Sequence, residues 1–149
     1  MQRQSRVTIR LATAGLLMTA PALLIPAAQA APLTPATSVT QAAAQGLHIF
    51  NHDKFGGVRT CSACHINGGT TMGQVPGGGK IPSLMGVAAQ FPRYNPAAHQ
   101  VVTLSTQLDH CITGGLQGKA PAANSVAMTD LITYLTKLSK GSVMGTQFK

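Results

Sequence analysis

Cys61-Ser62-Ala63-Cys64-His65 brings two thiols and an imidazole together within five residues. Cys-x-x-Cys-His is the spacing at which two thiols add to the two vinyl groups of one haem while the adjacent imidazole binds its iron. The two-residue gap sets both sulfurs on one edge of the porphyrin, and a histidine directly after the second cysteine is carried under the ring. One covalent haem c is therefore expected, held by Cys61 and Cys64 with His65 as proximal ligand. A redox or zinc-binding Cys-x-x-Cys is the alternative. A four-thiolate zinc site needs a second such pair, and the chain has 3 cysteines.

The third cysteine, Cys111, lies 46 residues after His65. Once Cys61 and Cys64 hold haem it has no disulfide partner within the chain. Thr103 or Ser105 can cap a helix on which Leu104, Leu108, Cys111 and Ile112 share a face, with Gly114 and Gly115 ending it. That face turns the sulfur towards the haem, and Cys111 is expected as the distal iron ligand. Cys111 as a small buried hydrophobe or an intermolecular disulfide is the plainer alternative. Met85, His99 and His110 are the other candidate ligands. Met72, 7 residues after His65, is too near to reach the opposite side of the ring; Met128 belongs to a helix core, and Met144 lies beyond that helix.

Helices must position these groups. Ser38 followed by Gln41 is a capping-box pattern, and Val39, Ala42, Ala43, Gly46, Leu47 and Phe50 recur at helical spacing, which predicts a helix from Val39 to His52. Gly46 would let a second helix cross closely, with Phe50 beside the haem edge; His48 and His52 face solvent. Ser125 is an N-cap for a last helix whose apolar face is Met128, Leu131, Ile132, Leu135 and Leu138, with Lys137, Lys140 and Gly141 at its end. Tyr134 would meet the glycine-containing helix where the two cross. Residues 68–79 carry six glycines and read as a loop, followed by a short helix from Pro82 to Phe91. No strand is expected, Val101-Val102 being too short. The spacing around Gly77, Gly78, Gly79 and Lys80 does not meet that of a phosphate-binding loop.

Residues 1–30 read as a secretory signal, with Arg3, Arg6 and Arg10 ahead of the apolar run 11–25 and Ala28-Gln29-Ala30 as cleavage site. That run is shorter than the roughly 20 residues a membrane span needs, so no span is expected after cleavage. In bacteria covalent haem is installed outside the cytoplasmic membrane, so a periplasmic location agrees with the motif. A flexible lead-in, 31–37, then precedes one domain, 38–149. The chain has 11 Lys+Arg and 3 Asp+Glu; without the three signal arginines 8 basic residues face 3 acidic ones, a charge of +5 that suits anions or acidic partners. No basic run interleaved with aromatics is present, which argues against nucleic acid.

A Gly-x-x-x-Phe helix, a Cys-x-x-Cys-His soon after it and an amphipathic last helix with an aromatic residue together resemble the class I cytochrome c fold, small and all-α around one covalent haem. More narrowly, Phe91-Pro92-Arg93-Tyr94, Val101 to Leu104, Gln107 to Cys111, Gly118-Lys119 and the last helix resemble the haem domain shared by thiosulfate dehydrogenases and the A subunit of the Sox thiosulfate-oxidising cytochrome. The resemblance implies that Cys111 ligates iron and is also the catalytic sulfur, in a thiosulfate-oxidising redox enzyme or a subunit of one. Arg93 and Lys119 are then the expected anchors for a sulfur oxyanion substrate, thiosulfate above all. Those families commonly carry two haem domains or work with a haem-bearing partner. A single Cys-x-x-Cys-His here thus implies a redox partner cytochrome, another electron acceptor or a second haem-bearing subunit. A plain electron carrier with His/Met ligation, docking acidic partners, is the alternative.

Overall fold

Among the described residues, three helices and a series of tight turns follow from the capping and apolar patterns of the sequence. The computed structural model describes residues 33–145, so the signal segment and its cleavage site lie outside the described residues. Helix α1 spans Val39–His52, with the Ser38 side chain accepting from Gln41 N at 3.1 Å. The returning arm of the cap reaches one residue further than a capping box, as Gln41 Oε1 accepts from Thr37 N at 2.9 Å. Helix α2 spans Leu104–His110 behind a Thr103 cap, and α3 spans Val126–Leu138 behind a Ser125 cap. Each cap satisfies backbone donors that the first helical turn leaves free.

The core is the crossing of α1 and α3. Ala42, Ala43, Gly46, Ile49 and Phe50 are buried from α1, and Met128, Asp130, Leu131, Tyr134 and Leu135 from α3. Both faces sit slightly off the expected stripes: Val39 and Leu47 are exposed, while Ile49, Asp130 and Tyr134 are inside. Gly46 explains the shift. A Cβ there would lie 2.6 Å from the Asp130 carbonyl carbon and 2.8 Å from Tyr134 Cβ, so the helices touch backbone to backbone at this point, with Tyr134 alongside. The expected close crossing at the glycine, with Tyr134 as its partner, is what forms.

The purely helical expectation needs correction, because two short antiparallel hairpins occur. Strands β1 (Gly73–Gln74) and β2 (Lys80–Ile81) pair across the glycine-rich turn, with Gly73 opposite Ile81. Strands β3 (Arg93–Asn95) and β4 (Gln100–Val102) pair with Tyr94 opposite Val101. Three-residue strands are too short to show alternation, and their stability comes from the turn: Asn95 Oδ1 accepts from Ala97 N and Ala98 N at 3.0 and 3.3 Å. The expected helix from Pro82 to Phe91 shrinks to a 3₁₀ turn, Val87–Gln90. Gly86, with φ of 77°, breaks the helical path ahead of it.

Candidate functional site

The Cys61–His65 motif is a single helical turn fastened to the end of α1. His65 N donates to Cys61 O at 3.0 Å and Cys64 N to the same oxygen at 3.2 Å, which turns Cys61, Cys64 and His65 to one side. Ser62 Oγ donates to Asn51 O at 3.3 Å, tying the turn to the last residues of α1. On its other flank Gln74 N donates to Cys64 O at 3.1 Å. A Cβ at Gly73 would strike that same carbonyl, so β1 lies against the motif only because residue 73 is glycine.

Phe50 carries the α1–α3 crossing into the site. Its ring centroid is 5.6 Å from that of Tyr134 and 6.1 Å from that of His65. The Tyr134 hydroxyl donates to Gly68 O at 2.6 Å and so holds the segment just after His65 onto α3. Burial depresses the basicity of His65 below the ordinary imidazole range, which favours the neutral, ligand-competent ring. Its Nδ1 is buried without a hydrogen-bond partner.

Cys111 arrives from the other end of the chain. The capping residue is Thr103, and Leu104, Leu108 and Cys111 line the same cavity, as their spacing predicts. Ile112 departs from that face and is fully buried. At Cys111 the helix widens into a π turn, Cys111–Gly115, closed by Leu116 N donating to Cys111 O at 3.0 Å. Cys111 opens this π turn, and such turns recur at functional sites. Arg59 Nη1 donates to Gly115 O at 3.2 Å and steadies the turn from outside.

Cys61, Cys64, His65, Cys111 and Arg93 all line one largely apolar cavity of about 390 Å³. Phe50, Leu84, Phe91, Leu104 and Leu135 supply much of its wall. All three cysteines carry free thiols. Burial first, and then charge on Cys111, push the Cys61 thiol up to about 12, so Cys111 is close enough to be felt at the motif. Among the described residues no cluster of three or more His, Cys, Asp or Glu side chains could hold a bare metal ion. The donor set fits a haem: two thiols for attachment, an imidazole and a third sulfur as candidate donors to its iron, and apolar walls for a porphyrin ring.

The remaining expected residues divide. Arg93 lines the cavity, with Cζ 4.8 Å from the centre of the Phe91 ring. Lys119 does not line it; its side chain is exposed, and its N–H donates to Phe55 O at 2.8 Å. Met85, His99 and His110 are exposed and absent from the lining, and Met128 is core. Gln107 was not foreseen as part of the site, yet it lines the cavity and its Nε2 donates to Cys111 Sγ at 3.6 Å. Its place one helical turn before Cys111 was the available signal.

The family described as "SoxA/TsdA, cytochrome c domain" matches residues 45–144, a span that holds every residue of the site. The chain is 28% identical over 93 residues to a thiosulfate dehydrogenase of Allochromatium vinosum, covering 62% of this chain and 33% of that protein. It is 27% identical over 107 residues to a thiosulfate dehydrogenase of Psychrobacter arcticus, covering 68% of this chain and 31% of that protein. The chain thus spans about a third of the length of these curated relatives. The fold is similar to that of the thiosulfate dehydrogenase TsdBA of Marichromatium purpuratum in its as-isolated form, with a TM-score of 0.57 and 18% identity over 74% of this chain and 25% of that one.

Proposed function

The chain belongs to the SoxA/TsdA cytochrome c domain family, whose fold implies haem c, and on that premise we propose that it is a periplasmic monohaem cytochrome acting in thiosulfate or related sulfur-compound oxidation. Cys61 and Cys64 would hold the one haem, and His65 and Cys111 would supply the protein donors to its iron. The observation that carries this reading is the convergence of these four residues on one apolar cavity, with Arg93 in its wall.

A bound haem supplies a one-electron redox centre, and thiolate ligation favours its ferric state. The residues of the chain supply the rest. The Cys111 sulfur is soft and anionic as thiolate and forms a bond to the sulfane sulfur of thiosulfate. Joining Cys–S⁻ to ⁻S–SO₃⁻ gives Cys–S–S–SO₃⁻ and releases two electrons with no proton. They leave for an external one-electron acceptor in two events, which gives a redox partner, such as another cytochrome, its place. Arg93 offers the guanidinium that pairs with the sulfonate oxygens. Lys119, outside the cavity wall, contributes to the approach of the anion rather than to its seat. Among the described residues no helix is long and apolar enough to cross a membrane.

Intact mass of the exported protein tests the haem count: one covalent haem is expected, and none or two would overturn it. Thiosulfate with a one-electron acceptor tests the chemistry. Acceptor reduction that is lost in Cys111→Ala supports the sulfur reading; no reduction, and no mass added at Cys111, leaves a carrier of electrons alone.

A further inference from the structure

Three side chains in the cavity wall form an ordered relay. Phe91 is buried, and the guanidinium of Arg93 lies over its ring, an arrangement that holds a cation in place. From there Arg93 Nη2 donates to Gln107 Oε1 at 3.3 Å. A primary amide has its acceptor and its donors on opposite corners of one plane. With the oxygen fixed on the guanidinium, the NH₂ group is turned the other way, and Nε2 donates to Cys111 Sγ at 3.6 Å. The reversed amide would set two donors against each other at Arg93, so the cation selects the orientation that serves the sulfur. Gln107 and Cys111 lie one helical turn apart, and both line the cavity.

We propose that Gln107 is a positioning residue which holds the Cys111 sulfur through an N–H···S hydrogen bond and, with Arg93 fixing its amide, sets the reduction potential of the centre that Cys111 ligates. The inference rests on the reading that Cys111 is an iron ligand. A hydrogen bond to a thiolate draws electron density off the sulfur, and partners beyond the ligand shell tune a metal centre in this way. The less a thiolate donates, the less it favours ferric iron, so the bond raises the potential. Arg93 then acts on the sulfur through Gln107 as well as on any anion in the cavity.

The test uses the haem-loaded protein, with potentiometry and ferric absorption spectra as readouts. Gln107→Leu removes the donor, and the ferrous-to-ferric ratio at a fixed ambient potential should fall roughly tenfold, which for one electron is about 59 mV. Gln107→Met keeps the length of the side chain but carries neither the N–H donor nor a charge. Its potential should fall about as far, whereas a residue needed only for packing would tolerate this change with the potential unmoved. If Gln107→Leu fails to accumulate, Gln107→Met carries the measurement. Wild-type potentials in both variants, alongside a ferric spectrum that does respond to Cys111→Ala, would overturn the role of Gln107 and leave ligation standing. A spectrum indifferent to Cys111→Ala would remove the ligation reading and this inference with it.

Discussion

Gly46→Ala should destabilise the protein although alanine is the better helix former. The added methyl would sit 2.6 Å from the Asp130 carbonyl carbon and 2.8 Å from Tyr134 Cβ, and closer still to the Asp130 carbonyl oxygen. Non-bonded carbons rest at about 3.5–4.0 Å, so α3 must retreat by about 1 Å at the crossing. Two of these obstacles are backbone atoms, which cannot swing aside as a flexible side chain would. Overpacking typically costs about 1–3 kcal/mol, and a backbone obstruction belongs at the upper end. Helix propensity returns about 1 kcal/mol of that, leaving a net loss of about 2 kcal/mol. For a domain of this size, roughly 4 °C per kcal/mol makes this a Tm lower by about 8 °C. Gly114→Ala is the control, since a methyl there meets nothing within 4 Å. Thermal and urea unfolding of the haem-loaded protein measure both. A Gly46→Ala protein as stable as the wild type, or more so, would refute the close crossing. Because Phe50 spans from this seam to His65, the ferric spectrum of Gly46→Ala should shift as well.

Tyr134→Phe deletes the hydroxyl that holds Gly68 O and should lower stability by about 1 kcal/mol; an unchanged urea midpoint would mean that this bond does not hold the segment after His65. Asp130 is 1% exposed with Oδ2 unpartnered, and burial raises its carboxyl above the ordinary value of 3.8. The folded protein then keeps this proton to higher pH than the unfolded chain does. The carboxyl's effect is absent below the unfolded pKa, and stability falls as pH rises through the folded one. Asp130→Asn should therefore be more stable than the wild type at pH 7, with the difference shrinking towards pH 4 in thermal unfolding; a variant less stable at pH 7 would reverse this account of the burial.

Local signals determined what could be read directly. The bounds of α1 and α3, the caps at Ser38, Thr103 and Ser125 and the contact of Gly46 with Tyr134 all follow from residues a few positions apart. The haem motif is equally local, as is the approach of Leu104, Leu108 and Cys111 to one cavity. The hairpin of Arg93–Asn95 with Gln100–Val102 escaped notice because its strands are shorter than any period they could display. Asn95-Pro96 was its one visible sign, through the Asn95 side chain that closes the turn. The π turn beginning at Cys111 has no sequence signature, and Cys111 lines the cavity while its neighbour Ile112 is core. Lys119 was drawn towards the site by resemblance, whereas the Gly118–Lys119 backbone serves to pack against Lys54 and Phe55.

The central claim, that His65 and Cys111 ligate one haem iron, is tested most directly by the ferric electron paramagnetic resonance spectrum of the wild type beside Cys111→Ala. The expected result is a low-spin signal in the wild type, replaced in the variant by the signal of iron that has lost its thiolate. A variant spectrum identical to that of the wild type would contradict the account.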